Sequence, residues 1–222
     1  AHFSKGVKTS KGCPKDCFVA GTLIKTEHGY KAIEEIEVGD KVWSWDEETG
    51  EQALKTVVQL FRNEKDVLVH IDVAGEHIQT TLGHPFYVAG KGWVKAGELK
   101  AGNELILYDG RVVEIEKVRI EKCKPVTTYN FEVEDSHTYY VTQSDVLVHN
   151  ACRPISPKKL TKSEIKRFNA ENYKEVYVGK KGARFDIFKD TANHDQIWLG
   201  DKNQKIWIET GERLLDLFKG VW

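Results

Sequence analysis

Between residues 17 and 149 the chain is a succession of short runs rich in Val, Ile, Thr, Tyr and Trp. They include "KVWSWD", "ALKTVVQLF", "VLVHIDV", "IQTTL", "PFYVAG", "ELILYD", "VVEIEKVRI", "TTYNFEVE" and "TYYVTQSDVLVH". β-Branched and aromatic side chains at this density suit a pleated, half-buried surface, and Gly, Asp-Glu and Asn pairs punctuate the runs. "EETGE", "VAGEH" and "YDGR" have hairpin-turn composition, with Gly where a positive φ is needed. "KAIEEIEVGDKV" has room for one helical turn. No longer period repeats. The pattern is that of an all-β domain.

The texture changes after Asn150. "RPISPKKL" has the prolines and basic residues of an extended linker. "TKSEIKRFNAENY" opens with Thr161 and Glu164 at capping-box spacing, followed by Ile165 and Phe168 at helical spacing. "EVYVG", "ARFDIFKD", "DQIWLGD" and "QKIWIETG" then read as four short strands, and "ERLLDLFKGVW" as a closing helix. The expected organisation is mainly β: a flank at 1–16, a β domain at 17–150, a linker at 151–160 and a small basic α+β domain at 161–222. A chain of 222 residues has room for two modest domains. Charge divides at the same point. Residues 151–222 carry 15 Lys+Arg against 10 Asp+Glu, whereas residues 1–150 carry 18 against 24. A basic module joined to an acidic one implies different partners.

Several classes are excluded. No apolar run approaches the roughly 20 residues that span a bilayer. The opening "AHFSKGVKTSKG" is basic and polar with no hydrophobic stretch, so it is expected to be part of something longer rather than a secretory signal. The four cysteines, at 13, 17, 123 and 152, fit neither a zinc ribbon nor a dense disulfide framework. No metal or other cofactor is expected. A Cys13–Cys17 disulfide stays open as an alternative to a nucleophilic Cys17.

The junction itself carries chemistry. "VLVHNAC" ends a β run on His149-Asn150. An asparagine carboxamide can attack its own backbone carbonyl, closing a succinimide and expelling the downstream residue as an amine. A fold that holds the attack geometry and places a proton donor at the leaving nitrogen supplies what the reaction lacks, and a preceding histidine is such a donor. Upstream, Cys17 is nucleophilic enough to convert the preceding amide, at the Asp16 carbonyl, to a thioester. Thr81 and His84, in "TTLGHPFYV", have T-x-x-H spacing. A hydroxyl and an imidazole aimed at one peptide bond can hold and protonate it. His137 lies in "YNFEVEDSHTYYV". Of the other histidines, His28, His70 and His77 read as turn or structural residues, Cys123 as a partly buried small residue, and the six tryptophans as core anchors.

Taken together, "CFVAGTLI", "GHPFYV", "YNFEVEDSHTYYV" and the terminal "VLVHN" occur in the order of the Hint domain, which inteins, hedgehog autoprocessing domains and bacterial intein-like domains share. The chain resembles that family over Cys17 to Asn150. The resemblance implies a horseshoe-shaped β fold that brings Cys17 and Asn150 together. It implies Cys17 as nucleophile, Thr81 and His84 in the first acyl shift, and Asn150, assisted by His149 and His137, in succinimide formation. One departure matters. Splicing needs Cys, Ser or Thr directly after the asparagine, and this chain has Ala151, with Cys152 one residue late. Release is expected, not ligation.

A processing domain ahead of a small basic segment is similar to bacterial polymorphic toxins. That implies secretion or delivery as part of a larger effector, action in the target-cell cytoplasm and a cognate immunity protein. The segment 151–222 has one histidine and the polar run "GKKGARFDIFKDTANHD". Such residues suit metal-independent RNA cleavage: His194 as acid or base, Asp186 or Glu209 as its partner, Lys181 or Arg184 on phosphate. In outline it is similar to colicin-type and barnase-like ribonucleases, with RNA as substrate. A released non-enzymatic binding module, or an inactive Hint domain serving as a connector, are the competing readings.

Overall fold

The computed structural model describes residues 16–47, 49–150, 154, 157–167, 173–176, 179–191, 194–203 and 207–219. Contacts divide the chain into two compact units, Pro14–Ala151 and a second that includes Cys152–Trp222.

The first unit is built from twelve strands. They are β1 Phe18–Val19, β2 Leu23–Thr26, β3 Gly29–Ala32, β4 Lys41–Trp45, β5 Gln52–Val73 and β6 Glu76–Thr80. After them come β7 Pro85–Val88, β8 Gly92–Lys95, β9 Glu104–Ile106, β10 Val112–Val133, β11 Thr138–Val141 and β12 Val146–His149. They form one sheet in the order β11-β12-β7-β9-β10-β1-β6-β5-β4-β2-β3, with β8 on β7. Val141 of β11 also pairs with Ile24 of β2, so the sheet curls back on itself.

Two strands of 22 residues, β5 and β10, run antiparallel through most of their length. The sequence reads as shorter runs here because "NEKD" and "EKCKP" interrupt the apolar pattern. Those interruptions lie in an arm where exposed and half-buried residues alternate rather than at strand ends. A register shift between Lys122 and Val126 absorbs Pro125, whose missing N–H then costs no ladder bond. At "VAGEH" the β5–β6 hairpin turns on Ala74 and Gly75, both at positive φ, as a two-residue turn requires. The helical turn expected in "KAIEEIEVGDKV" is the 3-10 turn Ile33–Glu35. Phe18, Ile71, Phe86, Phe131, Tyr139 and Val148 are among the side chains of one continuous core.

The second unit has its own core, including Leu160, Ile187, Ile197, Leu199 and Leu214. Its sheet runs in the order β13 Pro157–Lys159, β14 Phe185–Asp190, β15 Gln196–Asp201 and β16 Trp207–Arg213. Two expectations change. Residues 157–160, read as linker, belong to the domain: Pro157 opens an edge strand, where a proline is tolerated, and Leu160 is buried. Of "EVYVG", read as a strand, Glu175 and Val176 are helical and Gly179 opens a 3-10 segment, Gly179–Arg184; Tyr177 and Val178 lie outside the described residues. Gly182 approaches so closely that a Cβ there would lie 3.3 Å from Lys174 Cβ. Packing of the two short helical pieces overrides the β propensity of Val176.

Two further helices are described. α1 (Lys162–Ile165) carries the full capping box, with Glu164 N–H on the Thr161 hydroxyl and Thr161 N–H on the Glu164 carboxylate. In α2 (Leu214–Lys219) Leu214 is buried and Leu215 exposed. Among the described residues no helix is long and apolar enough to cross a membrane.

Two isoleucines of the first unit test where its stability resides. Ile71 is fully buried and Ile120, on the paired long strand, is 56% exposed. Ile71→Ala is expected to lower unfolding free energy by about 3 kcal/mol, and Ile120→Ala by about 0.5 kcal/mol or less, in urea titrations.

Candidate active site

The peptide bond between Asp16 and Cys17 is gripped at both of its polar ends. Cys17 immediately precedes β1, and its N–H donates to the Thr81 hydroxyl at 2.9 Å. The Asp16 carbonyl accepts from Asn130 Nδ2 at 2.7 Å. On the far side of the residue the Cys17 carbonyl accepts from the Thr80 hydroxyl and from Thr81 N–H. Thr81 and His84 sit together because "TLGH" folds as a tight turn after β6, closed by His84 N–H on the Thr81 carbonyl. Gly83 leaves room within that turn for the Asp16 carboxylate, which a Cβ there would displace.

Burial sets the electrostatics. Cys17 has no exposed surface and forms no disulfide. Desolvation pushes its thiol pKa up, and the Asp16 charge adds to this. Contacts to Asn63, whose Nδ2 lies 3.7 Å from Sγ, and to Thr128 act the other way. His84 is also fully buried, its ring 4.2 Å from that of Phe18 and edge-on to Phe86 and Tyr139. Desolvation lowers its pKa to about 3, opposed only by the nearby Asp16 backbone. Among the described residues the ring nitrogens have no partner at full hydrogen-bond geometry, and the lowered pKa makes His84 a neutral imidazole beside the Asp16–Cys17 bond.

The second group assembles at the end of β12. Asn150 is completely buried, its N–H donating to the His137 carbonyl and its carboxamide nitrogen to the Phe131 carbonyl at 2.7 Å. Its carboxamide oxygen has no partner among the described residues. His149 pairs with Thr138 across β11–β12 and is almost fully buried. Trp93 packs edge-on against its ring at 4.8 Å, His137 stacks at 6.1 Å, and Glu47 Oε1 lies 3.6 Å from its Nε2.

The structure therefore gathers Cys17, Thr81 and His84 into one group and His137, His149 and Asn150 into another. Consecutive residues of β10, Asn130 and Phe131, hold the two groups. Sequence reasoning missed Asn130, Gly83, Asn63, Glu47 and Trp93. Asn130 lies inside the quoted "YNFEVED" run, but its role depends on a contact 114 residues away. Trp93 was read as a core anchor; it lines the site, and Trp43 and Trp45 are likewise half-buried, against Tyr108 and Tyr87. His70, which is buried, and the exposed His77 lie in one polar network with Asp72, Arg119 and Glu121. Among the described residues no cluster of three or more His, Cys, Asp or Glu side chains could hold a metal ion.

The residues singled out in the second unit are more scattered. Asp186, on β14, is half-buried and ion-paired with Lys159 at 2.9 Å. Arg184 is exposed at the end of the 3-10 segment. His194 is exposed in the β14–β15 turn at φ 50°. The pairing Asp186↔Gly200 and Asp190↔Gln196 leaves His194 beyond a stretch of strand about 13 Å long at the usual rise, so Asp186 and His194 are not brought together. The backbone of Lys181 lies in the 3-10 segment and that of Glu209 opposite Trp198; their side chains lie outside the described set.

A self-closing β sheet with a cysteine at its first strand and an asparagine at the end of its last is the architecture of intein-like Hint domains. A solved bacterial intein-like domain from Clostridium thermocellum is 47% identical, with 60% of this chain and 97% of that one covered at a TM-score of 0.58. The gp41-1 intein is 28% identical over 60% and 98%, with a TM-score of 0.50. The Ssp DnaB mini-intein variant M86, 17% identical over 60% and 92% with a TM-score of 0.53, shares the fold. No curated protein matches the chain. The model of the pretoxin Hint domain matches residues 23–151, more than half of the chain. This chain belongs to the pretoxin Hint family.

Two measurements follow from the geometry. If Asn130 polarises the Asp16 carbonyl, Asn130→Ala lowers thioester formation at Cys17 by about 100-fold, read as hydroxylamine-releasable N-terminal fragment. His84 ties stability to pH. Its folded pKa, about 3, lies below the ordinary 6.5, so the unfolded chain takes up a proton first as pH falls. The stabilisation is complete above the unfolded value and is lost at about 1.4 kcal/mol per pH unit on acidification toward the folded one. Because His70 is lowered too, by burial and Arg119, the readout is the difference between wild type and His84→Gln. The variant is expected to show the shallower fall in urea midpoint between about pH 6.5 and about pH 5.

Proposed function

We propose that this pretoxin Hint domain cuts its own chain after Asn150 and so releases residues 151–222 as a ribonuclease toxin. The observation that carries the reading is the fully buried carboxamide of Asn150, its nitrogen fixed on the Phe131 carbonyl and its backbone N–H on that of His137, beside the His149 ring. The side-chain nitrogen attacks the Asn150 carbonyl carbon and gives up a proton. The bond to the Ala151 nitrogen breaks, and that nitrogen leaves as an amine after taking a proton delivered through the adjacent imidazoles. No water is consumed, and residue 150 ends as a succinimide.

At the other end, the Cys17 sulfur attacks the Asp16 carbonyl carbon while Asn130 holds the developing oxyanion. The bond from that carbon to the Cys17 nitrogen breaks, and the thiol proton passes to this nitrogen, which Thr81 holds, leaving a thioester. Ala151 has no nucleophile to receive an acyl group, which favours release over ligation. The family supports delivery of the toxin to other cells; an immunity protein that protects the producer is the partner proposed for it. RNA is the proposed substrate, with His194, Asp186, Glu209, Lys181 and Arg184 the residues proposed to act on it. One observation favours a second reading, release of a binding module: the hairpin register separates His194 from Asp186.

Mass spectrometry of the purified chain is expected to find two fragments meeting at Asn150, the upstream one lighter by one water than a hydrolysed end. Asn150→Ala should leave the chain intact at this junction. An intact wild-type chain after prolonged incubation rejects self-cleavage. Expression of residues 151–222 should arrest growth with RNA fragmentation, and His194→Ala should abolish both; harmless expression favours the binding module.

A further inference from the structure

A carboxylate with no part in the mechanism above is held against the histidine next to the scissile asparagine. Glu47 stands in the turn after β4. Asp46 braces that turn: its N–H donates to the Glu51 carbonyl, its own carbonyl accepts from Gly50 N–H, and its carboxylate accepts from Thr49 N–H. The base of the turn is tied to the site. Trp45 N–H donates to the Thr138 hydroxyl at 2.7 Å, and Thr138 is the cross-strand partner of His149. Thr138 also contacts Ser44 in a buried hydroxyl cluster with Ser136. Glu47 is thus delivered by a hydrogen-bonded scaffold, and its Oε1 stops 3.6 Å from His149 Nε2.

The separation is longer than a direct hydrogen bond, so the contact acts through charge. It joins a His149 side chain that is 2% exposed to a carboxylate that is 35% exposed. A buried imidazole resists carrying a charge, and an adjacent carboxylate offsets that cost. Among the described residues His137 also packs on the ring, stacking on it and disfavouring a second positive charge. On β8, which contributes Trp93, the nearest charged residue is Lys95, two positions along the same face. Glu47 is the anion of this set.

We propose that Glu47 is a positioning residue that acts through His149. It keeps the imidazole protonated and oriented in the neutral range, so that an acid is present when the Ala151 nitrogen leaves. The assignment rests on the self-cleavage reading and extends it to the pH range in which the chain is cut. Without the carboxylate, the buried ring sheds its proton at lower pH and cleavage at neutral pH slows.

The test follows release of residues 151–222 by mass from the full chain, as wild type, Glu47→Gln, Glu47→Ala and Glu47→Asp, between about pH 5 and about pH 9. Because Glu47 is partly solvated, the expected loss at neutral pH for Glu47→Gln and Glu47→Ala is about three- to tenfold. It should be recovered on acidification, with Glu47→Asp near wild type. Thioester formation at Cys17 is expected to stay unchanged, which separates this effect from a damaged fold. A second readout is the NMR titration of His149 in the Asn150→Ala chain, whose midpoint should move to lower pH by roughly half to one unit when Glu47→Gln is added. Superimposable rate profiles, faster neutral cleavage in Glu47→Gln, or an unmoved His149 midpoint overturns the assignment. A wild-type chain that stays uncut while the midpoint moves overturns the self-cleavage reading, and with it any part for Glu47 in cleavage, leaving only the charge contact.

Discussion

Two neighbouring residues of one long strand organise the reactive region. Asn130 donates to the carbonyl just before Cys17, and the carbonyl of Phe131 accepts from the carboxamide of Asn150. The orientation of the Asn130 side chain is itself determined. Its oxygen accepts from the Tyr139 hydroxyl and from Phe131 N–H, which leaves the amide nitrogen to face Asp16. Peptide bonds more than a hundred residues apart in sequence are therefore referenced to adjacent links of the same backbone. That requires β10 to be continuous and stiff, which its pairing with β5 along most of both strands provides. The curl of the sheet, the length of the two strands and the turn bearing Thr81 and His84 all serve this placement.

Burial does chemical as well as structural duty here. Removing water raises the cost of any charge, and in the group around Cys17 the side chains respond by staying neutral: the Cys17 thiol is pushed up and the His84 ring down. Burial also strengthens the hydrogen bonds that hold the Asp16–Cys17 peptide. It also leaves the Asn150 carboxamide oxygen and the Trp93 indole N–H without a partner among the described residues. Such an atom costs about 1–3 kcal/mol in a folded chain.

Much of this was legible in the residues, and the limits are physical. The β character of 17–149, the VAGEH turn, the Ile33 turn and the Thr161 capping box are local properties, fixed by neighbours within a few positions. The grouping of Cys17, Thr81, His84, His137, His149 and Asn150 followed from their matching a familiar order of motifs. What stayed hidden depends on contacts remote in sequence. Asn130 looks like any strand asparagine until Asp16 is placed against it, and Glu47 like any turn carboxylate until β4 is laid beside residues 136–138. Gly83 reads as turn composition, yet it also leaves space for the remote Asp16 carboxylate. In the second unit the reading failed where local propensity was overruled, as at Glu175 and Val176, which are helical, and in the strand made from the proline-bearing "PKK".

That strand bears on what a cut at Asn150 would leave behind. The second unit's sheet begins at Pro157, a few residues past the junction, and Leu160 is already in its core. A cleavage at Asn150 severs no strand of either sheet. Among the described residues, the first unit's core runs to Val148 and the second's begins at Leu160. Had the asparagine fallen later, inside 157–160, a cut there would strip an edge strand from the product. With residue 150 lying between the two clusters, a cut after it would divide neither core, which is what release of a folded segment requires.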